Sequence, residues 1–422
     1  MNEILDYYQQ QAKARCSTIP WLAQLQSKAL DKLVYHGFPT RHDEEWKYTL
    51  VDGLLKLPFA IQNPVNPSTL VYAKDLHLKQ QLLIQNGLVA EQPEWAAHLP
   101  EGVVVLPLSS ALVSQEALVK PYLGTILYQE HGFHALNTAM IHCGFFIYIP
   151  KGVSIEEPIV LTHFQDKQNQ AVYLRHLIIA EAESQATIIE EYRGEEQISY
   201  FTNGVTEVSV GSGAKLTHYK IQRESKSAYH LTHLSVKQSA YSEFASHSLS
   251  LGGTLVRSDI DISLQEDHAH CLMNGIYAPT AGQHVDHHTK VKHSAPNCSS
   301  EQDYKGILSG HSRAVFNGKV VVDQEAQHTD AKQQNKNILL SPNAEIDTKP
   351  QLEIFADDVL CSHGATVGQL DEEALFYLAT RGIDRLAASH YLIHAFAQDN
   401  LKLIPNRELA DWMSNLITQQ LG

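Results

Sequence analysis

Cysteine is scarce in this 422-residue chain, which has five: Cys16, Cys143, Cys271, Cys298 and Cys361. Because they are odd in number and far apart, the sequence does not encode a framework of disulfide bonds. Basic residues are also few, with 32 Lys and Arg against 47 Asp and Glu, for a formal net charge of −15. Phosphate binding needs clustered Lys and Arg, so a nucleic acid or an anionic membrane surface is not the expected ligand.

Long hydrophobic runs are missing as well. The most apolar stretch, residues 142–150, is much shorter than the roughly 20 residues of a membrane helix, and a Pro-Lys-Gly turn ends it. The first residues, Met1–Asp6, are acidic where a secretory signal would be basic. Together with the sparse cysteines, these features predict a cytoplasmic protein in a reducing compartment.

Short alternating runs of β-type residues fill the chain from residue 101 to 365, and Gly, Ser and Asn separate them. An interval of 28 residues separates four apolar residues in turn, namely Ile188, Leu216, Phe244 and Leu272. A fixed period over short strands indicates the stacked coils of a solenoid or β-helix. A β-sandwich with regular turns could produce the same spacing.

Helical patterns flank this β region. Residues 1–100 are predicted to be mainly helical, and residues 366–422 are predicted to form a C-terminal helical domain. Asp371 and Asp384 each precede an apolar periodic run and are suited to cap a helix. The predicted fold is therefore mainly β, with a core over residues 101–365 and a helical region on each side. The C-terminal helices are rich in apolar residues, so each has to bury a face.

A thiol and an imidazole stand two residues apart in Cys361-Ser362-His363, at the end of a segment that alternates like a strand. Side chains of a strand repeat every two residues, so Cys361 and His363 share one face. Cysteine and histidine are the side chains that bind iron and other borderline-soft metals well. Two ligands do not define a metal site, however, and an isolated pair of this kind is more often a buried thiol beside a hydrogen-bonded imidazole.

Other signatures of chemistry are weak. Histidine is densest between His268 and His293, but no C-x-x-C pair or H-E-x-x-H motif accompanies it, so these side chains are expected to face solvent or neighbouring coils. Residues 317–320 are the sequence most similar to a nucleotide-binding loop, but they lack its spacing and its Ser or Thr hydroxyl. We therefore expect this chain to bind no nucleotide. Asp357 and Asp358 would point to opposite faces of a strand and cannot act as a catalytic pair.

The sequence around the Cys-Ser-His run resembles the SufB/SufD family of iron–sulfur cluster assembly proteins. The resemblance is densest between residues 304 and 384, where several motifs occur in order. They are Tyr304–Leu308, Arg313–Lys319, Gln333–Ser341, Lys349–Ile354, His363–Gly368, Leu375–Leu378 and Arg381–Ile383. Upstream, Glu45–Thr49, Phe133–Ala139 and Ile149–Val153 are similar to earlier parts of the family. The run Cys361–Thr366 favours the SufD branch.

The resemblance implies a right-handed parallel β-helix core and a non-enzymatic scaffold subunit. It also implies that the chain pairs with SufB through the ends of the two β-helices and that the SufC ATPase binds the C-terminal helices. Iron or a nascent cluster, transiently shared with SufB, would be built near that interface. His363 is the expected ligand because neutral imidazole binds iron without a compensating anion, and Cys361 is the second. Whether the isolated chain forms a homodimer stays open.

Two other functions fit the same sequence. A SufB-like primary scaffold would itself accept sulfur and hold the cluster, although a cluster on one chain usually needs several thiolates. A polysaccharide-active β-helix enzyme is the other alternative. Such enzymes are commonly secreted, and the acidic first residues do not resemble a secretory signal.

Overall fold

The computed structural model of the chain describes residues 2–56, 58–61, 78, 80–89, 94–127, 131–141 and 143–421. In chain order, the strands are β1 (Ala60–Ile61), β2 (Gln80–Gln85), β3 (Leu88–Val89), β4 (Val104–Pro107), β5 (Phe145–Ile149), β6 (Ile159–Gln165), β7 (Gln170–Ala180), β8 (Gln185–Gly194), β9 (Phe201–Val210), β10 (Lys215–Arg223), β11 (Tyr229–Gln238), β12 (Glu243–Ser250), β13 (Leu255–Leu264), β14 (His270–Tyr277), β15 (His284–His293), β16 (Ser299–Leu308), β17 (Arg313–Val322), β18 (Thr329–Leu339), β19 (Glu345–Ile354) and β20 (Val359–Gly368). The α-helices are α1 (Asn2–Ala14), α2 (Pro20–His36), α3 (Leu108–Ser114), α4 (Glu116–Val119), α5 (Gly132–Ala139), α6 (Glu372–Thr380), α7 (Arg385–Leu401) and α8 (Arg407–Leu421).

The strands form two ten-stranded sheets. Sheet A has the order β19-β17-β15-β13-β11-β9-β7-β5-β4 with β1 beside β7, and sheet B has the order β20-β18-β16-β14-β12-β10-β8-β6-β2-β3. From β5 and β6 onward, each strand pairs in parallel with the strand two places along the chain. The backbone thus alternates between the sheets and completes one coil for every two strands. About eight such coils form a parallel β-solenoid, which confirms the mainly β, helix-flanked fold predicted from the sequence.

The coils differ in length. Leu216 pairs with Phe244, 28 residues on, as the repeat predicts. However, Phe244 pairs with Cys271 rather than with Leu272, and Leu216 pairs with Ala186 rather than with Ile188. The fixed 28-residue period is therefore wrong at two of its three steps, because corners between strands accept insertions and deletions more readily than the strands do.

Alternate side chains of both sheets point into the solenoid and form its main core. Leu174 and Val208 of sheet A belong to the same buried cluster as Ile188 and Leu216 of sheet B. All five cysteines are free, and three of them, Cys143, Cys271 and Cys298, are buried. The predicted lack of a disulfide framework is thus confirmed.

The N-terminal segment covers the outer face of sheet A. Helices α1 and α2 share a buried cluster with α5 and with outward-facing residues of β7, β9 and β11. Trp46 is buried, and the guanidinium of Arg257 lies 3.8 Å from the centre of its ring. A fully buried ion pair, Arg175 Nη2 to Glu207 Oε1 at 2.6 Å, lies on the same face of the sheet. The shared cluster and the contact between Trp46 and Arg257 fix the N-terminal segment to the solenoid wall.

The C-terminal helices cover the outer face of sheet B. Asp371 accepts hydrogen bonds from the backbone N–H groups of Glu373 and Ala374, and Asp384 accepts one from Ala387, so both predicted caps are confirmed. Apolar residues of α7 and α8 form one cluster with outward-facing residues of sheet B. None of the helices in the described part of the chain is long and apolar enough for a membrane span. The domain boundaries at residues 100 and 365 stay predictions.

Candidate metal site at the end of the solenoid

The final coil leaves one end of the solenoid open. β19 lies at one edge of sheet A, and β20 lies at one edge of sheet B. No residue of either strand is fully buried, whereas β16, which lies two places in from β20 in sheet B, is mostly buried. Edge strands carry unpaired backbone N–H and C=O groups, and another chain can pair with them.

Cys361 and His363 lie on this last strand and point in the same direction. β20 pairs with β18 in a register that sets Cys361 beside Ala331 and His363 beside Gln333. Both Ala331 and Gln333 are buried within the solenoid. Because in-register neighbours point to the same face of a sheet, Cys361 and His363 face the interior at its open end. Their shared face was predicted from their spacing.

The two side chains differ in exposure. Cys361 is half-buried against a small apolar cluster that includes Val320, Ala331 and Ala356. Burial raises the pKa of its thiol above the ordinary value, so the isolated chain carries a thiol here rather than a thiolate at neutral pH. His363 is exposed. Its imidazole is therefore accessible to a metal ion without any displacement of the chain.

The described part of the chain brings no third metal-binding side chain into a close group with Cys361 and His363. Iron and iron–sulfur clusters need more ligands than two. A metal ion at this end would therefore need ligands beyond this pair. Exposed apolar side chains accompany the pair, with Leu360 74% and Phe355 64% exposed, and a patch of this kind is typical of an interaction surface.

Two other groups of three potential metal ligands occur among the described residues. The first, His131, His134 and Asp259, lies outside sheet A in a cavity of about 430 Å³. The ring Nδ1 of His131 accepts a hydrogen bond from the backbone N–H of Phe133 at 3.2 Å, so the neutral ring carries its proton on Nε2. Asp259 is held by Arg257, with Nη2 2.9 Å from Oδ1. This group is already engaged in hydrogen bonds and an ion pair.

The second group, His163, His176 and Glu190, is buried inside the early coils. The ring Nδ1 of His176 accepts from the backbone N–H of Phe145 at 3.1 Å, which again leaves the proton on Nε2. The carboxylate of Glu190 contacts three side chains, namely His218 at 3.2 Å, Thr206 at 2.6 Å and Tyr192 at 2.6 Å. Neither group is apparent from the sequence, because the members of the first come from two separate segments and those of the second from three. The only signal is a histidine within an apolar strand, as in Arg175–Ile179.

The histidine-dense segment 268–293 contributes to neither group of ligands. Its side chains make separate contacts along the coils. His270 Nδ1 lies 2.8 Å from Ser299 Oγ, and His288 Nε2 lies 2.9 Å from Asp286 Oδ1. His287 is buried inside the solenoid. These contacts agree with the expectation that the side chains face solvent or neighbouring coils.

Comparison with known proteins agrees with the fold and the motifs. Residues 163–396 match the family model described as SUF system FeS cluster assembly, SufBD core domain, and residues 1–161 match the SufBD protein N-terminal region. The chain is 32% identical to the iron–sulfur cluster assembly protein SufD of Escherichia coli, over 93% of this chain and 91% of that protein. It is 31% identical to a SufBD family protein of Synechocystis, over 89% and 86% of the two chains.

A relative from the other branch is also similar. The iron–sulfur cluster assembly protein SufB of Bacillus subtilis is 28% identical, over 75% of this chain and 68% of that protein. The matches span both the N-terminal region and the solenoid, and the resemblance to SufD predicted from the Cys-Ser-His run is confirmed. The chain therefore belongs to the SufB/SufD family of iron–sulfur cluster assembly proteins.

Proposed function

We propose that this chain is a non-catalytic, cytoplasmic subunit of the SUF scaffold, which pairs with SufB and supplies His363 and Cys361 to iron or a nascent cluster at the shared interface. The observation that carries the proposal is the position of these two side chains. They are inward-facing ligands on the last strand of a solenoid whose end is open. A site with two ligands at an open edge is completed when a second chain brings further ligands.

SufB is the proposed partner at this end. Its Bacillus subtilis representative is similar to this chain over 75% of the length, so its solenoid is expected to have an end of the same kind. Two such ends match each other because unpaired backbone groups on each edge strand can hydrogen-bond across the junction. The exposed Leu360 and Phe355 would be covered in the same step. The same edge would allow the isolated chain to pair with a second copy.

His363 is the proposed primary ligand, and Cys361 is the second. His363 is exposed, and imidazole binds a metal ion through a neutral ring nitrogen. Cys361 has to lose the proton that its raised pKa retains, so metal binding through its sulfur releases a proton. Cys361 is therefore expected to bind after His363 has placed the ion, with its thiolate stabilised by the metal charge.

The C-terminal helices are the proposed docking surface for the SufC ATPase. One side of α7 and α8 packs on sheet B. Other apolar side chains of the C-terminal helices face outward, with Phe376 of α6 71% and Leu386 of α7 70% exposed. Exposed apolar groups on helices that are otherwise well packed are suited to bind a partner. Movement of SufC on ATP hydrolysis would then reach the metal site through these helices, while this chain binds no nucleotide itself.

A self-contained scaffold is less well supported than a shared one. Cys143, Cys271 and Cys298 are buried within the solenoid, and Cys16 lies on the N-terminal side. No close group of ligands among the described residues includes any of them. A cluster on this chain alone would thus start from one thiolate, Cys361, and one imidazole. Reconstitution of the isolated chain with iron and sulfide tests this alternative, because a stable stoichiometric cluster would support it.

The test of the proposal is cluster assembly by the chain co-expressed with SufB and SufC. His363→Ala is expected to leave the complex intact and to remove most of its bound iron and visible cluster absorbance. Ser362→Ala is the matched control, since Ser362 is exposed on the same strand but points to the opposite face. Full iron content and unchanged cluster transfer in His363→Ala would exclude His363 as a ligand and leave the chain a structural platform.

A further inference from the structure

Gln333 lies directly beside His363 in the register of β18 and β20. Gln333 is buried, and within the described part of the chain only the nitrogen of its side-chain amide makes a hydrogen bond. The amide Nε2 donates to Oε1 of Gln302 on β16 at 3.2 Å, and Gln302 Oε1 also accepts from the Thr289 hydroxyl at 2.7 Å. These polar side chains form a row that runs from the interior of the solenoid to its open end.

The other end of the Gln333 amide has no partner. Its Oε1 is buried and has no hydrogen-bond partner among the described residues. Buried acceptors of this kind are uncommon in native proteins and call for an explanation. The two polar atoms of a planar amide point away from each other. Nε2 is engaged with Gln302 on one neighbouring strand, β16, and His363 lies beside Gln333 on the other neighbouring strand, β20.

Sheet A makes room for this amide. Gly318 of β17 faces the interior opposite Gln333, and a Cβ atom on Gly318 would lie 2.1 Å from Gln333 Nε2. A side chain at residue 318 would therefore displace the amide from its place. The backbone of Gly318 is not in the left-handed region, so the need for glycine here comes from the space that Gln333 occupies rather than from the turn of the chain.

We propose that Gln333 is a positioning residue for His363: when the exposed imidazole turns toward the solenoid interior, the unpartnered Oε1 of Gln333 accepts a hydrogen bond from its Nδ1–H and thereby directs the Nε2 lone pair toward the metal. This inference rests on the proposed role of His363. A histidine that binds a metal through one nitrogen generally donates the proton on its other nitrogen to a protein acceptor, which fixes the tautomer and the ring direction. Gln333 supplies that acceptor from within the same chain.

The tautomer of His363 tests the proposal without any metal. Long-range ¹H–¹⁵N correlation spectra of the full chain, labelled with [¹⁵N]histidine at pH 8, report which ring nitrogen carries the proton, and the His363→Ala spectrum assigns the signal. The wild-type chain is expected to show mainly the Nδ1–H form. Gln333→Leu, which keeps much of the volume and removes the acceptor, is expected to shift the population to the Nε2–H form that free imidazole side chains favour.

Two further variants separate positioning from a loss of structure. Gln333→Glu keeps an acceptor beside His363 and is expected to retain the Nδ1–H form, with Gln302 Nε2, a buried donor without a partner in the described structure, paired to the new carboxylate. Gln351→Leu is the matched control for the substitution, because Gln351 lies on the same final coil but faces outward on β19. It is expected to leave the tautomer unchanged.

Iron binding by the complex with SufB and SufC provides the second measurement. Gln333→Leu is expected to lower metal affinity by about 10-fold, within the range for the loss of a partner behind a ligand. A wild-type His363 in the Nε2–H form, or a tautomer unaffected by Gln333→Leu, would overturn the positioning role even if His363 proves to be a ligand. Conversely, full iron in His363→Ala would end the metal role of the site whatever the tautomer.

Discussion

Replacement of Leu360 by alanine is expected to weaken pairing with SufB. Leu360 lies on the edge strand β20 and is 74% exposed in the single chain. A strand added to β20 would cover part of this side chain. Leu360→Ala removes three carbons, each worth about 0.8 kcal/mol when fully buried. With roughly half to three quarters of that burial regained at the junction, the loss is about 1–2 kcal/mol, or roughly 5- to 30-fold in Kd.

The assay is titration of the purified chain with SufB, followed by calorimetry or sedimentation. Val113→Ala is the control, because Val113 is 76% exposed but lies on α3 on the N-terminal side. Leu360→Asp is expected to abolish pairing, since a charge on an edge strand opposes the addition of another strand. Equal Kd values for wild type and Leu360→Ala, or an equal loss in Val113→Ala, would refute pairing through this edge.

Two further predictions concern stability and SufC. Burial lowers the pKa of His131, His247 and His293 to about 4 each, whereas unfolded histidine has a pKa of about 6.5. The unfolded chain therefore takes up more protons than the folded chain as the pH falls. The free energy of unfolding, measured in urea, should keep the whole contribution of these histidines above pH 6.5 and lose up to about 3 kcal/mol per histidine toward pH 4. A urea midpoint that stays constant down to pH 4.5 would contradict this. The double variant Phe376→Ala and Leu386→Ala should reduce co-purification of SufC but leave pairing with SufB intact, which is the reverse of the effect expected for Leu360→Ala. Undiminished recovery of SufC with this variant would remove α6 and α7 from the docking surface.

The parts of the fold that follow from local chemistry could be predicted from the sequence. The alternating runs indicated the strands, and the acidic caps Asp371 and Asp384 marked the starts of α6 and α7. The shared face of Cys361 and His363 follows from the two-residue period of a strand alone. Each of these features depends on residues within one short segment, so no tertiary contact can override it.

Features that depend on register could not be predicted. The pairing of Phe244 with Cys271 rather than with Leu272 depends on the lengths of the corners between them, and a residue gained or lost there shifts every pair of that coil. The neighbour of His363 is likewise set by the corners between β18 and β20. Gln333 stands 30 residues before His363 in the sequence, and nothing in the local pattern selects it over its neighbour Gln334.

Under the proposed function, pairing and metal binding at this end of the solenoid would be thermodynamically linked. A partner that covers β20 without a metal ion would bury the Cys361 thiol and the His363 ring further, and polar groups buried without partners cost free energy. A metal ion held by both chains supplies those partners. By reciprocity, if the metal ion raises the affinity for SufB by a given factor, SufB raises the affinity for the metal ion by the same factor. A conformational change that separates the two ends, such as one driven by SufC through α6–α8, would therefore release both the partner and its cargo, which is the behaviour that a transient scaffold requires.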